Sequence, residues 1–122
     1  MKLAARVYRA TEKFPKYELY GLTSQIRRAA VSVPSNIAEG KGHRSDREFL
    51  HFLFHARGSL LELETQLTLA QELQYFSDEI LASLLSDTVA LGSSLTGLIN
   101  SLEHPGSRDE SRRPTTEDRR HV

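Results

Sequence analysis

His51 and His55 stand four residues apart, the spacing that puts two imidazoles on one face of a helix. Two such rings can begin a transition-metal site, but a stable site needs a third and usually a fourth ligand. The chain has no cysteine and no HExxH run. Glu48, three residues before His51, stands in a helix-capping position instead. No metal site and no cofactor are therefore expected. Catalytic sets fare no better. Glu62 and Glu64 are two residues apart and leave a helix in different directions. No serine sits in a nucleophile-elbow sequence. Gly40-Lys41-Gly42-His43 lacks the spacing of a phosphate-binding loop. No catalytic residue is assigned, and the chain is not expected to be an enzyme.

The chemistry that remains is cationic. Arg44, Arg47, His51 and His55 follow one another at helical steps and form one stripe. Arg27 and Arg28 lie off the apolar face of the preceding segment, with Lys41 between the two groups. Arg27, Arg28, Lys41, Arg44 and Arg47 are the candidate contacts to nucleic-acid phosphates, since guanidinium groups at this density clamp phosphate oxygens in pairs. Aromatics for base stacking are scarce, because the phenylalanines fall on apolar stripes. The expectation is backbone binding without sequence readout. The competing expectation pairs Arg27 or Arg28 with acidic residues of another helix or subunit.

The formal net charge of zero hides an asymmetry. Residues 1–57 hold 11 Lys or Arg against 5 Asp or Glu, and residues 58–103 hold none against 7. The first half attracts polyanions and the second repels them. In a bundle this pattern separates the charge into faces, or else makes one helix complementary to another inside an oligomer. With 122 residues the chain is one domain by length. No apolar run approaches the ~20 residues that span a bilayer, and the charged start, MKLAARVYRA, is no signal peptide. The expected location is the cytoplasm, with no membrane partner.

The elements that must position these residues read as helices. Leu3, Val7, Ala10 and Phe14 give a short amphipathic helix over Met1–Thr11. Phe14-Pro15-Lys16 breaks it. A second helix is expected from about Lys16 to Gly40, with Leu19, Leu22, Ile26, Ala29, Val33 and Ile37 on its apolar face. Pro34 interrupts this helix without shifting the phase, which predicts a kink near Ala30–Pro34; two short helices are the alternative. Gly40 and Gly42 are expected to end it. Asn36, next to the proline, is expected to satisfy loose backbone groups. Ser45 and Glu48 form a capping box for a third helix from Asp46 to about Leu73. That helix has a core stripe (Phe49, Phe52, Leu53, Ala56, Leu60, Leu63, Leu67, Ala70) and a second apolar stripe, Leu50, Phe54 and Leu61. A second stripe suits contact with another subunit, so these three residues are the candidate oligomer interface. Small residues at Gly58-Ser59 are read as allowing a close helix crossing. Ser77 caps a fourth helix that runs to about Leu102. Residues 1–103 thus predict an all-α, antiparallel up-and-down four-helix bundle with a kinked second helix. Residues 104–122 are polar and rich in mixed charge, and read as a disordered tail.

Several of these segments carry a family resemblance. Phe14-Pro15, LTSQIRRAAVSVPSNIAEG (22–40), Arg44-Ser45-Asp46, Phe49 with Phe52-Leu53, and ARGSLLELETQLTLA (56–70) resemble the four-helix-bundle proteins named after the intervening sequences of 23S ribosomal RNA genes. The likeness covers roughly residues 3–102. It implies a non-catalytic helical bundle that assembles as a homo-oligomer, with pentamers among its relatives. The accessory variability protein of diversity-generating retroelements is similar to this family, which implies RNA or DNA and a reverse transcriptase as partners. Relatives usually begin earlier than this chain, so the expectation is either a misassigned start or a truncated first helix. The functional expectation is an oligomeric nucleic-acid-binding accessory protein or adaptor; the alternative is a protein-interaction scaffold with no nucleic-acid role.

Overall fold

A computed structural model describes residues 1–105. Nearly all of the expected tail, 104–122, lies outside these described residues. The elements are α1 (Lys2–Ala10), a 3₁₀ turn (Lys16–Glu18), α2 (Leu22–Lys41), α3 (Asp46–Glu72) and α4 (Asp78–Glu103). The fold is all-α, four helices around one core. α3 is the central element: it packs on α2 along one side and α4 along the other, while α1 touches α2 and α4. Gly40 of α2 meets Phe52 of α3, and Ser32 meets Ser59, so these two helices run in opposite directions. Glu64 with Thr88 and Leu60 with Gly92 give the same sense for α3 and α4.

The second helix begins later than its apolar period suggests. Pro15 starts a single 3₁₀ turn, and Gly21 then leaves both the helical and the extended regions, with φ −115° and ψ −114°. The Glu18 side chain accepts the Leu22 N–H at 3.1 Å, which caps a new helix and closes off the old turn. Leu19, placed by spacing on the apolar face, is consequently 47% exposed. From Leu22 the helix runs unbroken to Lys41 with Pro34 inside it, so the two-helix alternative does not hold. Beside the proline, Asn36 Nδ2 donates to the Ser32 carbonyl at 2.8 Å and to Ser32 Oγ at 2.9 Å. Ser32 Oγ in turn shares a hydrogen bond of 2.8 Å with Ser59 Oγ on α3.

Two glycine expectations are corrected. Gly40 does not end α2. It is buried within the helix because a Cβ there would lie 2.8 Å from Phe49 Cδ1 and 2.9 Å from Phe52 Cβ. The close helix crossing needs a bare backbone at Gly40. Gly58, by contrast, faces open space, and its neighbour Ser59 alone sits at the helix crossing.

Helix ends follow local chemistry. Ser45 Oγ accepts the Glu48 N–H at 3.1 Å and donates to Glu48 Oε1 at 3.2 Å. Ser77 Oγ accepts the Ile80 N–H at 3.2 Å. α3 closes with Gln74 in the left-handed region, φ 63°, while the Tyr75 N–H returns to the Ala70 carbonyl at 2.9 Å. That returning bond satisfies a carbonyl the helix would otherwise leave free. The core joins Val7, Phe14, Ile26, Val33, Leu53, Leu63, Leu67, Leu84 and Ile99, so every helix contributes. Phe14 also packs at a tilt against Tyr75 and edge-on against Phe76, with ring centroids 5.2 and 5.4 Å away. α4 corrects one sequence expectation: an 18-residue stretch reaches a mean hydropathy of 1.2, enough by length and composition to cross a membrane. In the bundle its Leu84, Leu95 and Ile99 are buried in the shared core, and Asp87 forms an ion pair with Arg6 of α1.

Candidate nucleic-acid interface

The five candidate cations fall at two separate places. Lys41, Arg44 and Arg47 gather at the turn from α2 to α3, all exposed and in no ion pair among the described residues. Arg28 lies thirteen residues before Lys41 on the same helix, roughly 20 Å away at the helical rise of about 1.5 Å per residue. The α2–α3 turn is also less positive than the stripe of arginines suggests. Glu39, Asp46 and Glu48 alternate with its cations. His43 lies between Glu39 Oε2 at 3.7 Å and Glu48 Oε2 at 3.4 Å, with its ring stacked on Phe52.

Arg27 is held inside the subunit, by neutral groups and not by an acid. Its Nε donates to Thr11 Oγ1 at 2.8 Å, and its NH2 donates to the Tyr8 carbonyl at 3.3 Å. The guanidinium carbon sits 4.6 Å from the centroid of the Tyr8 ring, a cation–π stack. Thr11 itself donates to the Val7 carbonyl at 2.9 Å, which fixes its oxygen as an acceptor for Arg27. Arg27 therefore presents a pre-set plane, and its remaining N–H groups make no hydrogen bond among the described residues.

Around this plane lies a cleft of about 390 Å³ between α1 and the start of α2, lined by Tyr8, Leu19, Tyr20, Thr23, Ser24, Arg27 and Arg28. Tyr8 is 43% and Tyr20 94% exposed. Thr23 is buried, and its hydroxyl has no hydrogen-bond partner among the described residues. The expected scarcity of stacking aromatics is thereby corrected: it holds for the phenylalanines of the core stripe and not for Tyr8 and Tyr20. A signal was available, since Tyr8 falls off the Leu3–Val7–Ala10–Phe14 stripe and so had to face away from the core. Exposed Lys2, Arg9, Lys13, Lys16 and Arg28 continue the positive character over α1 and the start of α2. Only Glu12 and Glu18 oppose them within residues 1–38. Glu18 is already engaged: the Tyr75 hydroxyl donates to its Oε2 at 2.7 Å and the Leu22 N–H to its Oε1. These two bonds, the tyrosine's first, hold its carboxyl below the ordinary value of 4.5. Tyr75 is pushed up in return, by its hydrogen bond with Tyr17 and then by that with Glu18.

The sequence model of the 23S rRNA-intervening sequence protein family matches residues 1–97. The chain belongs to that family. No curated protein matches it. The family match takes in α1, α2, α3 and most of α4, so both cationic regions lie inside the family domain. Membership is compatible with a non-catalytic helical protein.

The other candidate residues lie apart from the cations. Phe54 is 40% and Leu61 59% exposed on the outer face of α3, whereas Leu50, expected with them, is half-buried and packs against the core. Arg57 covers one side of the Phe54 ring at 5.2 Å. The His51 and His55 rings are 4.6 Å apart and share a shallow hollow with Gly58 and Glu62. Among the described residues no three His, Asp or Glu side chains gather as metal ligands. A hollow of about 570 Å³ runs between α3 and α4 past Leu61, Val89 and Gly92. Its floor carries a hydrogen bond of 2.6 Å from Thr88 to Glu64 and no further titratable group except Arg57 at its rim.

Proposed function

We propose that this protein is a non-catalytic, oligomeric accessory protein that binds the nucleic-acid backbone without reading sequence. The observation that carries the reading is the separation of charge on the fold. α1, the segment after it and the start of α2 expose Lys2, Arg9, Lys13, Lys16 and Arg28 and also hold the stacked Arg27, while α4 carries acids and no Lys or Arg. A positive face of this kind attracts phosphates and releases their counterions. One subunit presents few such charges, and its acidic side opposes them, so assembly strengthens binding by repeating the face. Phe54 and Leu61 support homo-oligomer formation, because two large apolar side chains otherwise lie in solvent on one helix, with Leu50, the third candidate, already packed against the core. The test is a titration of the purified protein against labelled RNA and DNA of unrelated sequences at rising salt. Similar affinities that fall steeply with salt support the reading. No binding at low salt removes it and leaves a protein-interaction scaffold, the role that the zero net charge favours.

A further inference from the structure

We propose that the cleft between α1 and the start of α2 takes an unpaired nucleotide, so that the protein prefers single-stranded nucleic acid over duplex. This deepens the nucleic-acid reading above and rests on it. Three features meet in the cleft. First, the Tyr20 ring is almost fully exposed, and the Tyr8 ring is partly so. An aromatic face in solvent gains most from a base that has no other stacking partner, and bases in a duplex are already stacked. Second, Arg27 is clamped by Thr11 and the Tyr8 carbonyl with donors to spare, and Arg28 lines the same cleft, which places two cations where the phosphate of a stacked nucleotide would lie. Third, Thr23, which lines the cleft, is 3% exposed, and its hydroxyl has no hydrogen-bond partner among the described residues. A buried hydroxyl is ordinarily satisfied, and a sugar or phosphate oxygen entering the cleft would supply the missing bond. The cleft volume of about 390 Å³ is large enough for one nucleotide.

The spacing explains the arrangement. Ser24, Arg27 and Arg28 fall on one side of the first turns of α2, Tyr20 borders the same cleft from the turn before Gly21, and Tyr8 reaches it from α1 because Arg27 ties the two helices together. Glu18 does not compete for the cations, since its two oxygens are held by Tyr75 and Leu22.

The experiment measures fluorescence anisotropy with labelled RNA and DNA single strands and the matching duplexes, at one fixed low salt concentration. The single strands should bind about tenfold more tightly than the duplexes. Tyr20→Ala should remove that difference by weakening single-strand binding about tenfold, within the range for loss of one base stack, with duplex binding unchanged. Tyr20→Phe should keep the preference, because the ring and not the hydroxyl does the stacking. Tyr20 is too exposed to support the fold, so all three proteins should melt together. Equal binding of single strands and duplexes, or an equal loss of both in Tyr20→Ala, overturns the proposal while leaving backbone binding in place. Failure of the unaltered protein to bind any of the four probes overturns both readings.

Discussion

The Tyr75 hydroxyl donates a 2.7 Å hydrogen bond to Glu18 Oε2, joining the residue that caps α2 to the one that closes α3. Because the bond favours ionised Glu18 and protonated Tyr75, it makes stability depend on pH at both ends. A carboxyl held below its ordinary value contributes stability that is present above 4.5 and lost as pH falls through its lowered value. A phenol held above its ordinary value of 10.0 contributes stability that is present below that value and lost as pH rises towards the raised one. Glu18→Gln should therefore lower Tm at neutral pH, with the difference from the unaltered protein shrinking as pH falls below 4.5. Thermal melts followed by circular dichroism across the acid range check this. A constant difference at all pH values would mean that the bond contributes no ionic stabilisation.

Gln74 holds the left-handed conformation at the end of α3, where a side chain is strained and glycine is not. Gln74→Gly should stabilise the protein by about 1 kcal/mol in chemical denaturation, near the cost of left-handed backbone for an L-residue. The glutamine side chain is exposed, so little packing is lost.

Glycines on α2 and α4 should respond in opposite directions to alanine. At Gly40 an added methyl runs into Phe49 and Phe52 below 3.0 Å, one contact being the constrained Cβ of Phe52. Gly40→Ala should cost about 1–3 kcal/mol, the usual range for overpacking. At Gly97 nothing lies within 4 Å of the new carbon. Gly97→Ala should gain about 0.5–1 kcal/mol from helix propensity. Urea unfolding of the two variants checks the contrast.

These positions show what the sequence could and could not disclose. Ser45 with Glu48, and Ser77 before its acidic turn, are local signals, and both caps form where the spacing puts them. The apolar steps of α3 likewise locate Leu53, Leu60, Leu63 and Leu67 in the core. The start of α2 was not legible, because it depends on a Glu18 side chain turning back to Leu22 and overriding a continuous apolar period. Nor was the role of Arg27. Its partners, Tyr8 and Thr11, lie on another helix and reach it only through the crossing of α1 on α2. Gly40 misled for the same reason: spacing suggests a helix stop, while the phenylalanines of α3 require the missing side chain.

The outer face of α3 gives a test of assembly. Burying a leucine or phenylalanine contributes about 1.5–3 kcal/mol, and Leu61 is the most exposed of the three candidate interface residues. Leu61→Glu should leave the monomer fold intact and shift the mass seen by light scattering to smaller species. A monomeric mass for the unaltered protein at micromolar concentration would remove the oligomer altogether.

The two cationic regions can be told apart by charge reversal. Lys13→Glu with Arg28→Glu alters the face of α1 and α2, where few acids sit nearby. Arg44→Glu with Arg47→Glu alters the α2–α3 turn, where Glu39, Asp46 and Glu48 already offset the cations. Removing one cation that neutralises a phosphate should lower the salt slope of binding by about one and weaken affinity for every sequence alike. The first pair should therefore reduce the slope by about two, and the second pair should reduce it less, because cations among acids attract phosphate weakly. All four side chains are exposed and none forms an ion pair among the described residues, so neither pair should change the melting temperature or the mass of the assembly. Loss of binding only in Arg44→Glu with Arg47→Glu would move the interface to the α2–α3 turn. An unchanged slope in both variants would show that neither face touches phosphate.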